Sequence, residues 1–169
     1  ALKTLCGLGV NEIAKAFLTN DETISKRIYR AKEKIKGEKI GLEVPDNTDL
    51  QERLDAVLKS LYLLFNEGYN SSHPEKLIRE DLCEEAMRLC LLLTKHPLTA
   101  YPRSKALLSL MCFQSSRLNA RLDDKGNIIL LKYQDRSKWH VPLIQKGFNY
   151  LDEAAEPFEV SSYHFEAAI

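Results

Sequence analysis

The residues from Leu8 to Lys36, LGVNEIAKAFLTNDETISKRIYRAKEKIK, contain two short amphipathic patterns joined by a polar turn. In the second pattern, apolar residues recur at helical spacing and predict one buried face, made of Ile24, Ile28, Ala31 and Ile35. The opposite face carries Thr23, Lys26, Arg27 and Arg30. A DNA major groove admits one helix and offers acceptors to Arg and Lys. The pattern therefore predicts that this cationic face binds DNA.

The first pattern predicts a shorter helix that crosses behind the second one. Gly9 lies at its cap position, with Glu12 three residues later at capping-box spacing. The predicted inner stripe of this helix is Ile13, Ala14 and Phe17. In the turn that follows, either Asn20 or Thr19 can cap the second helix, which then begins near Asp21. The two helices together form a helix-turn-helix pattern.

The charge distribution bears on the choice between DNA binding and a solvated, Lys-rich bundle helix, because both would show a basic face. Residues 1–36 contain eight Lys/Arg and four Asp/Glu, whereas residues 37–169 contain sixteen and twenty. The net charge of zero thus hides a basic segment and an acidic remainder. Phosphate neutralisation requires the basic excess to lie with the groove-reading pattern, as it does here. We therefore assign DNA contact to the first segment only.

The order of residues in this segment resembles the C-terminal helix-turn-helix of bacterial sigma factors, in particular the extracytoplasmic-function (ECF) type. The resemblance covers about residues 2–36 and is carried by Gly7-Leu8, Glu12-Ile13-Ala14, Thr23-Ile24, Arg27-Ile28 and Arg30-Ala31-Lys32. It implies a partial sigma region 4 over residues 1–36, which reads the −35 element of promoter DNA and docks on the RNA polymerase core. The family usually has Gly in the turn where this chain has Leu18. Because a Leu adopts positive φ only at a cost, we expect a different turn geometry.

The resemblance also suggests a role for each basic residue of the second helix. Thr23, Lys26, Arg27 and Arg30 would face the groove, and Lys32, Lys34 and Lys36 would face the DNA backbone. Residues 2–5 read as the tail of a helix whose start is absent, and the last residues run helically without a stop signal, so we expect a fragment of a longer protein. Residues 1–169 alone are expected to bind DNA poorly, because the preceding helices are missing.

The remainder of the chain predicts an all-α fold, a helical bundle or solenoid-like domain over residues 49–169 after a linker at 37–48. Its first helix is predicted to end at Gly68, and Ser72-x-x-Glu75 with Pro74 to open the next. That second helix becomes apolar all round near residues 89–93, which predicts a central position. Later helices are predicted from Pro102, from 138 to 155, and from about Phe158 after a break at Pro157. Residues 120–131 predict a small β-hairpin or an extended loop.

A polar cluster lies where the first of these helices is predicted to end. Asn66, Glu67 and Tyr69 flank Gly68, and His73 follows closely. One interpretation is a ligand site or acid–base chemistry at Glu67, Tyr69 and His73. The other, which we prefer, is a helix end with a left-handed Gly68 and a carboxylate paired to Arg79 or Arg88, since helix termini use these residue types.

Motifs for catalysis and metal binding are missing from the sequence. It has no phosphate-binding loop and no nucleophile elbow, and the four histidines (His73, His96, His140 and His164) lack metal-ligand spacing. The four cysteines (Cys6, Cys83, Cys90 and Cys112) show no CxxC pair, so buried thiols are preferred over zinc ligation or a disulfide. No signal peptide and no bilayer-length apolar run is present. We expect a cytoplasmic binding protein without cofactor, metal or membrane partner.

A second resemblance covers about residues 48–169. The strings YLLFNEGYNSS, DLCEEAMRLC and QDRSKW are similar to a helical extension that follows the helix-turn-helix in one group of the same sigma factors and often continues into tetratricopeptide-like helix pairs. It implies regulation through self-contact or protein partners, an anti-sigma factor among them. A one-component regulator, with Glu67 and Tyr69 lining a ligand pocket in the helical domain, is the alternative. An enzyme with a basic appendage is a third interpretation and would need a deep polar pocket near Glu67.

Overall fold

The computed structural model describes residues 1–41, 47–73, 76–155 and 159–169, and within these ranges it contains seven α-helices and no strand. The helices are α1 Val10–Ala16, α2 Asp21–Gly37, α3 Asn47–Tyr69, α4 Glu80–Lys95, α5 Pro102–Ser115, α6 Val141–Glu153 and α7 Ser162–Ala168. The predicted all-α class is thereby confirmed. Helices adjacent in the chain pack as neighbours from α3 to α6, and α7 packs back onto α5.

One hydrophobic core joins the two parts that the sequence suggests. Leu8, Ile13 and Ala14 of the first segment are buried in the same cluster as Leu58 and Met111 of the helical remainder. The contact is made mainly by α1, which packs on α3 as well as on α2. Phe17 does not belong to the buried stripe, because 47% of its surface is exposed. The helix-turn-helix is therefore seated on the bundle through the face of its shorter helix.

The central helix is α5, whereas the sequence pattern pointed to α4. All residues from Ala106 to Cys112 are buried, while Leu92 of α4 is 52% exposed. The small polar residues of α5 allow this burial because their hydroxyls bond to carbonyls: Ser109 donates to Gly147 at 2.7 Å and Ser104 to Thr99 at 2.7 Å. Because serines are interspersed among its apolar residues, the hydrophobicity pattern of α5 does not reveal how deeply the helix is buried.

Several predicted helix boundaries differ from the structure. The helix α3 continues through Gly68 to Tyr69, and α4 begins only at Glu80. The start at Pro102 is confirmed, but α6 begins at Val141 instead of 138. The last helix, predicted from about Phe158, begins only at Ser162. Three parts of the predictions lie outside the described residues: the helix-opening pair Pro74 and Glu75, the break at Pro157, and residues 42–46 of the linker.

The segment predicted as a β-hairpin or loop is a loop closed by a single antiparallel bridge between Leu122 and Ile128. Asp123 accepts hydrogen bonds from the backbone N–H groups of Lys125 and Asn127, and Gly126 has φ of +80°. The chain before the bridge ends in a one-turn 3-10 helix at residues 118–120. Because the polar groups of the turn residues form hydrogen bonds with one another, the loop closes without a longer β-ladder.

Candidate nucleic-acid interface and polar cleft

The turn between α1 and α2 keeps a left-handed residue although Leu18 occupies it. Leu18 has φ of +50°, and its side chain is 96% exposed. Directly after the turn, the side chain of Asn20 accepts a hydrogen bond from the Thr23 backbone N–H at 2.8 Å and caps α2. The carboxylate of Glu12 accepts from the Gly9 backbone N–H at the start of α1. The predicted caps are confirmed.

Only the first half of the predicted apolar face of α2 lies against the body. Ile24 is 3% exposed and Ile28 packs partly against the core, but Ala31 and Ile35 are exposed, Ile35 to 51%. The reason is length: α1 has 7 residues and α2 has 17. At 1.5 Å per residue α1 extends about 10 Å and α2 about 25 Å, so α1 cannot cover the distal half. The prediction of one continuous buried face was wrong beyond Ile28.

The basic residues predicted to bind DNA are all on the surface of α2. Lys26 pairs with Glu22 at 2.6 Å and Lys34 with Glu38 at 3.7 Å, both as exposed pairs. Exposed ion pairs of this kind are weak, so both lysines can exchange their carboxylate for a phosphate. The remaining exposed cations have no ion-pair partner among the described residues; they are Arg27, Arg30, Lys32 and Lys36. Thr23, at the first turn, is half-buried.

Two polar contacts fix the helix-turn-helix on the bundle. Arg79, just before α4, donates to the Glu12 carboxylate at 2.9 Å, and both side chains are largely shielded from solvent. Lys15 donates to the backbone carbonyl of Ser72 at 3.1 Å. Neither contact is predictable from local patterns, because the partners are 67 and 57 residues apart in the chain.

The polar cluster predicted near Gly68 forms one wall of a cleft of about 550 Å³ between the ends of α1 and α3. Glu67 is 7% exposed, and its carboxylate accepts hydrogen bonds from the Ser72 backbone N–H at 2.9 Å and from the Ser71 and Ser72 hydroxyls at 3.1 and 3.0 Å. Asn66 and Tyr69 line the same cleft. The carboxylate thus holds the loop that follows α3.

The expected arginine partners of Glu67 are engaged elsewhere, which corrects our interpretation of this helix end. Arg79 pairs with Glu12, and Arg88 holds Glu85 through two hydrogen bonds of 2.7 Å. The exposed His73 donates its backbone N–H to the Ser71 hydroxyl at 3.0 Å. A ligand role for Asn66, Glu67, Tyr69 and His73 stays a prediction.

Gly68 is needed for a close helix approach and has no left-handed φ. A Cβ built on Gly68 would lie 2.8 Å from the carbonyl oxygen of Arg79, from the backbone nitrogen of Cys83 and from its Sγ. The Gly68 carbonyl also accepts from the Arg79 backbone N–H at 2.7 Å. The start of α4 is therefore fixed on the end of α3 by direct backbone contact.

A buried arginine that the sequence analysis missed lies beside this contact. Arg121 is 7% exposed, and its guanidinium lies 3.6 Å from the centre of the Tyr69 ring. It also donates to the Tyr69 backbone carbonyl. Burial lowers the pKa of Arg121, which the neighbouring Tyr69 opposes. The stacking and the carbonyl together stabilise a cation that has lost most of its water.

Neither a metal site nor a membrane-spanning helix is found in the ranges that the structure describes. In these ranges, no group of three or more His, Cys, Asp or Glu side chains is placed to hold a metal ion. Within the same part of the chain, no helix combines the length and the apolar character that crossing a bilayer requires.

The chain is similar to proteins of one family. Residues 53–155, from within α3 to just beyond α6, match DUF6596, described as a family of unknown function. An uncharacterized protein of Rhizobium meliloti (strain 1021) is 40% identical over 170 residues. That alignment covers 100% of this chain and 40% of the relative, so the chain spans less than half of the relative's length. No solved structure matches the chain. The chain belongs to the DUF6596 family.

Proposed function

We propose that this chain is part of an ECF-type sigma factor, in which α1 and α2 read the −35 element and the helices from α3 onward form a regulatory extension. The observation that carries the proposal is the division of α2: Ile24 is buried against the body, while Arg27 and Arg30 are exposed on the other side without ion-pair partners among the described residues. A helix placed in this way can enter a major groove without first breaking internal contacts.

In the proposed mechanism α2 binds promoter DNA, and the residues of its two halves have different roles. Lys26, Arg27 and Arg30 offer donors to guanine edges or phosphates, and the lysines further along the helix approach the DNA backbone. The distal half of α2 projects beyond α1, which supports deep insertion. In this proposal the partners are promoter DNA, the RNA polymerase core and a regulatory protein such as an anti-sigma factor, and the protein works in the cytoplasm.

Exposed apolar residues in the turn before α2 and along α2 support a protein contact in addition to the DNA contact. Leu18 is 96% exposed, Tyr29 66% and Ile35 51%. Exposed apolar side chains on a basic helix suit a partner surface that is apolar and acidic. RNA polymerase or a regulatory protein could supply such a surface.

The proposal is tested by replacing Arg27 with Ala in the protein as it occurs in the cell and measuring promoter affinity by fluorescence anisotropy. If Arg27 reads a base, affinity for the preferred promoter falls by about 1–3 kcal/mol and the preference over a scrambled −35 element shrinks. Equal weakening on both sequences, with a shallower salt dependence, would make Arg27 a phosphate contact.

The matched control is Lys125→Ala, which removes an exposed cation from the loop near Gly126. It should leave promoter affinity unchanged. An Arg27→Ala protein that binds promoter DNA as tightly as Lys125→Ala would contradict the assignment of α2 as the recognition helix.

A second candidate function is a one-component regulator whose helical domain senses a small polar ligand. The cleft at Glu67 favours it, because Lys15 of α1 and Tyr69 of α3 both line the cleft. A ligand there would contact the helix-turn-helix directly. A pull-down with RNA polymerase core separates the two candidates. Binding of the core by the full-length protein supports the sigma factor, and absence of binding supports the one-component regulator.

A further inference from the structure

A second cavity, of about 510 Å³, lies on the side of the bundle formed by α4, α5 and α6. The helix α5 contributes its floor, with Leu108 and Cys112. Most of the apolar wall residues come from the flanking helices α4 and α6, and Leu118 adds to them from the one-turn helix at residues 118–120. The residues from α4 and α6 are Cys83, Met87, Leu91, Leu143 and Tyr150. Its volume lies within the range of about 300–1,000 Å³ that small-molecule sites occupy. We call this cavity the sulfur groove, after its Cys and Met side chains.

The two walls of the sulfur groove carry charges of opposite sign. On the α6 side, Lys146 lines the groove without an ion-pair partner among the described residues. On the α4 side, Glu80 and Glu84 line the groove near Cys83. Arg88 also lines it, but its guanidinium is held by Glu85. An anionic group is therefore attracted to the Lys146 side and repelled from the start of α4.

Two further observations place polar groups within the apolar lining. Ser115 is 9% exposed, and its hydroxyl donates to the Met87 sulfur, a weak acceptor, at 3.2 Å. Ser115 lies one helical turn beyond Cys112. Lys146 lines the groove together with Cys112. Burial raises the pKa of the Cys112 thiol to about 11, and the Lys146 ammonium opposes this rise. A hydroxyl and a cation thus flank the same apolar floor.

We propose that the sulfur groove binds a small amphipathic carboxylate, with its apolar body along Met87, Leu91 and Leu108 and its carboxylate toward Lys146. The polarisable thioether and thiols adapt to an apolar chain of irregular shape. The apolar residues of α4 that line the groove run from Cys83 to Leu91 and extend about 12 Å, which sets the length of the apolar body. The site is distinct from the basic face of α2 and from the cleft at Glu67, and its existence does not depend on the proposed function.

The test is an NMR titration of the whole chain with decanoate, below the concentration at which it forms micelles. Saturable shifts are expected at the amides of Met87, Cys112 and Tyr150, with no comparable shifts on α2. Replacing Lys146 with Glu should weaken decanoate binding by about fivefold or more, because an attraction becomes a repulsion. The same change should leave binding of the neutral 1-decanol unaltered.

The control variant is Lys138→Glu, which reverses an exposed charge that does not line the groove. It should bind decanoate like the unaltered chain. Equal affinities of the Lys146→Glu and Lys138→Glu proteins would overturn the proposal, and so would tighter binding of decylammonium than of decanoate. Failure of both decanoate and 1-decanol to bind would also overturn it, and would leave the groove as a seat for a helix of another protein.

Discussion

Leu18 shows how one residue can hold a turn that normally takes glycine. Its φ of +50° costs about 1–3 kcal/mol for a residue with a Cβ, and its exposed side chain recovers none of this through packing. We therefore expect Leu18→Gly to raise the free energy of unfolding by about 1 kcal/mol, after the entropy that glycine adds to the unfolded chain. Urea unfolding measures the change.

The control for this change is Leu130→Gly, at an exposed leucine with φ of −62°. Glycine relieves no strain there and only adds freedom to the unfolded chain, so stability should fall slightly. If the two variants shift the free energy of unfolding in the same direction, Leu18 is not strained.

The buried thiols should make the free energy of unfolding decrease at alkaline pH. Burial raises the pKa of Cys112 to about 11 and the pKa of Cys90 to about 12, from an ordinary thiol pKa of 9.0. The unfolded thiols ionise at lower pH, so their contribution is complete below about pH 9 and is lost as pH rises toward the folded pKa. The free energy of unfolding should therefore fall between about pH 9 and 12.

Replacing Cys112 with Ala should lower stability at neutral pH through the cavity and flatten the decline above pH 9, because one buried ionisable group is gone. Cys6 is only half-buried, so Cys6→Ala is expected to change the slope less. Urea unfolding at pH 7, 9 and 10.5 measures both effects. A Cys112→Ala protein with an unchanged alkaline slope would show that other groups cause the decline.

At the level of the helices, sequence pattern located elements well where local chemistry sets their ends. Pro102 marks the start of α5, and Asn20 caps α2 as predicted. The start of α4 was predicted too early, because capping-box spacing at Ser72 is a local signal. Its observed start depends on Arg79 and Gly68, whose backbones bond across the helix pair. That contact is tertiary, and no spacing rule contains it.

In the candidate site too, local sequence patterns predicted some features, and tertiary contacts determine the others. The exposed cationic face of α2 follows from 3.6-residue periodicity, and the structure places its residues on the surface. The extent of its buried face could not be predicted, since it depends on how far the short α1 reaches. The Glu67 carboxylate was recognised as unusual, but its partners Ser71 and Ser72 depend on the path of the following loop. Arg121 gave no signal at all.

The close contact between α3 and α4 depends on the absence of a side chain at Gly68. Gly68→Ala should lower the free energy of unfolding by about 1–3 kcal/mol, because the new methyl meets backbone atoms of α4 at 2.8 Å and these cannot move aside cheaply. The loss should appear although Ala is the better helix former by about 1 kcal/mol.

Gly37→Ala is the matched control, since Gly37 ends α2 and a Cβ there meets no atom within 4 Å. It should be neutral or stabilising in the same thermal or urea unfolding experiment. Equal effects of the two substitutions would mean that the α3–α4 contact relaxes freely and that Gly68 is not required.

At the scale of the whole molecule, the basic and acidic parts meet through specific contacts. The two segments have net charges of opposite sign, but screening limits the reach of exposed charges to about 8 Å at physiological salt. The junction instead uses the shared apolar core and the shielded pair of Glu12 with Arg79. Glu12 also holds the start of α1 through Gly9, so one carboxylate links the helix-turn-helix to the bundle.

The Glu12–Arg79 pair should therefore set how readily the helix-turn-helix opens from the bundle. Arg79→Met removes the cation and leaves a mostly buried carboxylate, so we expect faster hydrogen exchange in α1 and α2 and little change in α5. A double-mutant cycle with Glu12→Gln should give a coupling of about 1 kcal/mol or more. The exposed Glu85–Arg88 pair is the control, because solvent screens it, and its cycle should give a smaller coupling. If removal of Arg79 accelerates exchange equally in every helix, the pair stabilises the fold as a whole and does not act as a local clamp.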